Sequence, residues 1–313
     1  MRLLPLSNDF VFKSIFAKNE DLLLDLLNSF PEFSGKKQIR NLQVMNPELP
    51  KSFKDDKLSI LDIRAEDISG NKFLIEMQAS HQAYFTKRVM YYWSSAYSKA
   101  IRKGQNYDRL PRIYSFNFTS FVLFQGQTHF HSVFEVKEKN NPEICLTEDL
   151  EIHIVELPKL EKLLPELQSN LEDWVFLLKE AENLKESDMK TLERKNPKVK
   201  KAISELKILS HDKKARFLYE ERLKADLDYN SGIQHAFSKG KEEGREEGRE
   251  EGELNSFYLS IEMALEAKFS SKGLALLPEI RTIKDISVLQ NILKAVLKAK
   301  DLKEISSVIK KAR

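Results

Sequence analysis

The sequence predicts an α/β protein, a β-sheet core flanked by helices with a helical C-terminal extension, on three observations. Two strand-like runs, ILDIRA at 60–65 and FLIEMQ at 73–78, flank a Ser-Gly-Asn turn. Further β-type runs follow at 112–124, 129–136 and 150–157. From Pro158 onward the apolar residues fall at three- and four-residue steps instead, the spacing of amphipathic helices.

Helical spacing opens the chain, in FVFKSIFA and DLLLDLLNSF between about Phe10 and Phe30, and Pro31 ends it. Ser7-Asn8-Asp9 ahead of it is a good N-cap cluster. A polar, Pro-containing loop leads to the hairpin. Closing that hairpin around Ser69 pairs residues whose numbers sum to 138, so Asp62 faces Glu76 and Ile60 faces Gln78. Side chains alternate with period two, which puts Asp62, Glu76 and Gln78 on one face with the two acids as close cross-strand neighbours. Both acids have apolar neighbours in sequence (Leu61, Ile63; Ile75, Met77), a pattern of strands covered on both faces, where an unpaired carboxylate is costly. A divalent cation between facing carboxylates resolves the conflict, and the pair reads as a metal site. The alternative is a solvated acidic face in a slipped register.

The next helix, around 82–103, carries Lys87, Arg88, Lys99, Arg102 and Lys103 among six aromatic residues from Tyr84 to Tyr97. Phe85, Val89, Tyr92 and Ala96 form its core stripe. Arg88 is expected to face the acids, and Lys87, Arg102 and Lys103 are expected to hold phosphates. His129, His131 and His153 lie on the later β-type runs, but with no Cys partner and no strong spacing they read as ordinary strand histidines. The Lys-rich helical stretch before Phe237 reads as a solvated face, with a second phosphate-binding surface as the alternative. KEEGREEGREEG then places Gly at 240, 244, 248 and 252, either a marginal helix or a flexible charged linker, since Gly costs about 1 kcal/mol in a helix. The tail from Leu254 reads as three or four short helices with caps such as Thr282 and Asp285.

Composition narrows the function. The 313 residues, 41% hydrophobic with 19 Phe, can bury a sizeable core and fill two units at roughly 100–200 residues per domain. A net charge of +3, from 51 basic and 48 acidic residues, is not that of an obligate nucleic-acid coat, so any DNA affinity must come from local clusters. The single Cys145 excludes an intramolecular disulfide and points to no thiol metal site. No apolar run reaches the length of a membrane-spanning helix, and MRLLPLSNDF, broken early by Pro5, does not read as a signal peptide. A cytoplasmic location is expected.

D-x13-E-x-Q on the two strands of a hairpin, followed by a helix, resembles the PD-(D/E)XK restriction-endonuclease-like superfamily. With NDFVFKSIF (8–16), LDIRAED (61–67), IEMQASHQAYFTKRVMYYWSSAYSKAI (75–101), GQNYDRLPRIYSFNF (104–118) and KGKEEGREEGREEGE (239–253), the chain is similar more narrowly to the bacterial recombination-promoting nucleases, or PD-(D/E)XK nuclease family transposases. The resemblance implies a restriction-endonuclease-like mixed β-sheet core at 1–160, a helical extension at 161–237, the charged Gly-repeat linker or helix at 238–253 and a small helical domain at 254–313. It implies Mg²⁺-dependent hydrolysis of DNA, with Mn²⁺ as substitute. Asp62 and Glu76 would hold the metal with the Met77 carbonyl, Gln78 would orient the water, and Asp9 would either support the metal or cap its helix. Two departures stand out: Gln78 occupies the Lys position, and Leu61 precedes Asp62 where the pattern has Pro. A neutral amide can orient water but cannot take its proton. A degenerate nuclease fold retained as a DNA- or protein-binding scaffold is therefore the alternative. Self-association through the charged repeat and C-terminal helices is expected, and no membrane partner.

Overall fold

The computed structural model describes residues 2–48, 61–80 and 82–311, which form two compact units, Met1–Arg222 and Leu223–Arg313. The first is built on a six-stranded mixed sheet: β1 (Gln43–Met45), β2 (Ile63–Glu66), β3 (Lys72–Gln78), β4 (Ile113–Thr119), β5 (His131–Lys137) and β6 (Cys145–Glu156), in the order β1-β2-β3-β4-β6-β5. β3, β4 and β6 run parallel; the pairs β1–β2, β2–β3 and β5–β6 are antiparallel. Parallel neighbours need a crossover, and between β3 and β4 this is α3 (Phe85–Ser98). The expected α/β fold, a mixed sheet flanked by helices, is what the chain adopts.

The hairpin register is the predicted one, with Ile63 opposite Ile75 and Glu66 opposite Lys72. Its loop is pinned by Asp67, whose Oδ1 accepts from the amides of Ser69 (2.8 Å) and Asn71 (2.9 Å), while Gly70 takes the left-handed φ of 82° that the reversal needs. The predicted pair Ile60–Gln78 lies outside the described residues.

One face of the sheet (Phe73, Ile75, Met77, Phe116, Phe118) packs on α1 (Asp9–Phe16), α2 (Glu20–Asn28), α4 (Asn170–Glu180), α5 (Glu186–Lys195) and α6 (Pro197–His211) in one core that includes Trp174. The other face (Leu74, Ile113, Ile152, Ile154) lies under α3. The N-terminal helical run is broken: α1 stops at Phe16 and α2 starts at Glu20, with Asn19 tied back to the Ile15 carbonyl at 2.8 Å. α3 is shorter than the predicted 82–103, ending at Ser98 because the chain turns toward Gly104 (φ 87°). The run 112–124 leaves the sheet at Thr119, since the buried Glu156 carboxylate accepts from the amides of Leu123 (2.6 Å) and Phe124 (3.0 Å) and holds them in a loop.

α7 (Lys213–Leu274) contains the whole charged repeat, whose four glycines have open space where a Cβ would stand, and is interrupted at Ser270 (φ 50°). The second unit has its own core of Ile261, Leu265, Leu289, Ile292, Val296 and Ile305. Asp285 caps α9 (Ile286–Lys298) through the amides of Ser287 (2.8 Å) and Val288 (3.2 Å). Thr282 is not an N-cap: its hydroxyl donates to the Glu279 carbonyl and closes the end of α8 (Leu277–Ile280). α10 (Leu302–Lys311) completes the chain's described helices.

Candidate active site

Asp62 lies one residue before β2 and Glu76 in the middle of β3, so the register that pairs Ile63 with Ile75 sets the two acids against each other. The Asp62 Oδ2 accepts from the Met77 amide at 2.8 Å, and its Oδ1 lies 3.7 Å from the Lys13 Nζ of α1. Glu76 is only 9% exposed, and its Oε1 has no hydrogen-bond partner among the described residues. Burial, followed by the charge of Asp62, holds the Glu76 carboxyl above the ordinary carboxylate range, with Arg88 and Lys13 pulling the other way. Burial also raises Asp62, against the Met77 amide and Lys13, and the charge of Asp9 adds to the rise. The site thus holds two carboxyl groups that resist ionising together, one with an orphaned buried oxygen. That donor set fits a hard divalent cation such as Mg²⁺ or Mn²⁺.

α3 supplies the wall facing the acids. Arg88 donates from Nη2 to Gln78 Oε1 and from Nη1 to Gln82 Oε1, and its guanidinium lies 5.4 Å from the Phe85 ring centroid. Gln78 Nε2 donates to the Ser80 carbonyl at 3.1 Å, which leaves it one N–H to offer. Tyr92, one helical turn after Arg88, has its phenol pushed up by burial and by the charge of Glu76. Ahead of α3, Tyr84 takes a left-handed φ of 65°, a conformation uncommon for a non-Gly residue.

The sequence model of the PD-(D/E)XK nuclease family transposases matches residues 6–236. The chain belongs to this family. No curated protein and no solved structure matches it. Membership makes it a nuclease-type protein, in a family whose members generally use divalent metals and whose substrate is DNA. Among the described residues no helix is long and apolar enough to cross a membrane.

Against this family background the expected residues separate into two sets. Asp62, Glu76, Met77, Gln78 and Arg88 converge. Asp9 lies close enough for its charge to reach Asp62, but its Oδ2 is ion-paired to Arg222 at 3.0 Å. It is not the helix cap: Asn8 fills that place, accepting from the amides of Phe10 (3.1 Å) and Val11 (3.3 Å). Lys87 is exposed, with its ammonium 5.2 Å from the Tyr84 ring centroid. Arg102 and Lys103 are exposed beyond the far end of α3, about 15 Å of helix rise from Arg88. The site has two further members, Lys13 and Tyr92. Lys13 had one signal in the sequence, its i, i+4 spacing from Asp9 on the same face of α1.

Proposed function

We propose that the chain is a Mg²⁺-dependent DNA endonuclease serving recombination or mobile-element transactions, with Mn²⁺ as a working substitute. The observation that carries this reading is the facing pair Asp62 and Glu76, with a buried Glu76 oxygen that has no partner among the described residues. Asp62, Glu76 and the Met77 carbonyl would hold the cation. When bound, it lowers the pKa of the attacking water and offsets charge growing on the phosphate.

The chain's own residues do the rest. Gln78, its amide fixed by Arg88 and the Ser80 carbonyl, orients the water through its remaining N–H but cannot accept the proton. Lys13 brings a positive charge from α1 to within 3.7 Å of Asp62, in a site whose position 78 is a neutral Gln; it stabilises the transition-state charge. Asp9 acts as a positioning residue for α1. Arg88 and Lys87 contact the phosphates next to the scissile bond, and Arg102 and Lys103 extend the track along the duplex. Exposed Leu227, Tyr229, Ile233 and Phe237 on α7, with the glycine stripe that follows, are the surface we assign to self-association.

A covalently closed DNA circle tests endonucleolytic cleavage, because it has no ends. Nicked and linear products should form in Mg²⁺ or Mn²⁺ and be absent in EDTA. A specific observation favours a second reading: the Gln78 amide is tied to Arg88 and Ser80 in place of a lysine ammonium. On that reading the protein retains the circle in a gel-shift assay and yields no product in any metal.

A further inference from the structure

On the face of the sheet opposite Asp62 and Glu76, a second set of metal-type donors meets. Glu76 shares its face with Asn117 and Ile154, whereas His153 of β6 lies in register with Phe116 of β4 on the other face. His131 of β5 pairs with Val155, and Val133 pairs with His153, so the two histidines are diagonal neighbours on that face. Their rings are stacked, 5.2 Å apart and 6° from parallel, with His131 Nε2 and His153 Nδ1 at 3.0 Å. Pro31 ends α2 and turns the chain so that Glu32, in the 3₁₀ turn Pro31–Phe33, arrives above them. The donor atoms of Glu32, His131 and His153 all lie within 4.8 Å of one another, and the buried Glu32 Oε2 has no hydrogen-bond partner among the described residues.

The surroundings prepare these groups as ligands. His153 Nε2 bonds Glu151 Oε1 at 2.8 Å, which fixes the Nε2–H tautomer and turns the lone pair of Nδ1 toward His131 and Glu32. A carboxylate holding the far nitrogen of a histidine is the usual second layer of a metal site. Phe116 stacks on the His153 ring at 4.4 Å, and the edge of Phe30 meets both imidazoles. Burial keeps His131 neutral, the state in which imidazole ligates. Occupation requires His131 to carry its proton on Nδ1 instead of Nε2. The two nitrogens must also part by a few tenths of an ångström, given metal–nitrogen bonds of about 2.0–2.1 Å in a tetrahedral site.

We propose that Glu32, His131 and His153 form a Zn²⁺ site separate from the nuclease centre. Two imidazoles and one carboxylate suit a borderline transition ion better than Mg²⁺, which prefers oxygen throughout. The ion ties the Pro31–Phe33 turn to strands β5 and β6 and stabilises the first unit from the sheet face opposite Asp62 and Glu76.

The test uses the full chain, free of any His tag and stripped of metal, in an Asp62→Ala/Glu76→Ala background that removes the other carboxylates. Zn²⁺ is titrated against a chromophoric chelator, and Co²⁺ serves as a spectroscopic probe. The expected result is one ion per chain, a Co²⁺ spectrum of a four-coordinate nitrogen/oxygen site, and two imidazoles by X-ray absorption. Glu32→Gln and His131→Ala should each weaken Zn²⁺ binding by about 100-fold or more, and Glu151→Gln by about 10–100-fold. Circular dichroism checks folding, and if His131→Ala does not fold, the half-buried, near-isosteric Glu32→Gln decides. No bound ion in the double-variant background, or unchanged affinity in Glu32→Gln, overturns the assignment.

Discussion

Replacing Glu76 by Gln removes one ionisable group from the facing pair with almost no change of shape. In the metal-free protein the Glu76 carboxyl is buried beside Asp62, and burial first, then the charge of Asp62, raises it well above the ordinary carboxylate range, so at pH 7 folding drives it toward the protonated form. The unfolded chain carries this group ionised at pH 7, and each unit by which folding raises its pKa, up to the ambient pH, costs about 1.4 kcal/mol, a cost that the non-titrating Gln does not carry. In EDTA, therefore, Glu76→Gln should be more stable than the wild type by about 1–3 kcal/mol. For a unit of this size each kcal/mol moves the Tm by about 2–4 °C. Mg²⁺ should invert the comparison. At a hundred times its Kd a ligand adds about 2.7 kcal/mol to the state that binds it; the wild type gains this and the variant gains little. Thermal unfolding followed by circular dichroism, with and without saturating Mg²⁺, measures both differences. A Glu76→Gln protein less stable than wild type in EDTA, with the same Mg²⁺ shift, would mean that burying Glu76 carries no such cost and that Glu76 holds no metal.

Three further outcomes follow from other parts of the molecule. Lys13→Ala should lower kcat for DNA cleavage by about 100-fold while leaving the Mg²⁺-dependent Tm shift in place, because Lys13 is assigned to transition-state charge and not to metal binding. Asp21 is ion-paired to Lys198 (2.8 Å) and Lys201 (2.7 Å), and hydrogen bonds from both hold its carboxyl down at about 2. Its contribution is present above the ordinary carboxylate range and lost as pH falls through about 2; the cluster is half-exposed, so Asp21→Asn should cost under about 1 kcal/mol in urea titrations at pH 7, and the cost should shrink steadily as pH is lowered toward 2. Gly244→Ala with Gly248→Ala should stabilise α7 by about 1 kcal/mol per site, since nothing among the described residues stands where either Cβ would go. If a second copy packs on that stripe, the same change shifts sedimentation toward the monomer.

Much of the core could be read from the chain because its signals are local. The hairpin register follows from alternation plus the turn at Ser69–Gly70; β4 falls within its β-type run, and β5 and β6 overlap theirs, β6 beginning five residues earlier at Cys145. β1 gave no such signal: it is a three-residue edge strand, QVM, without a buried face. The contacts that complete the sites were hidden for a different reason. Lys13 meets Asp62 across 49 positions, and Glu32 meets His131 and His153 across about a hundred or more, so only the packing of α1 and of the Pro31–Phe33 turn on the sheet joins them. The premature end of β4 likewise depends on Glu156, a distant carboxylate capturing two loop amides.

In the proposed function Asp62 and Glu76 together hold the ion that supports DNA cleavage. The most direct measurement is nicking of a covalently closed circle in Mg²⁺ by wild type, Asp62→Ala and Glu76→Ala, each purified identically and checked for folding by its melting curve. Nicking by the wild type that disappears in both folded variants is the predicted result. Equal nicking by all three, or none by the wild type in either Mg²⁺ or Mn²⁺, would contradict it.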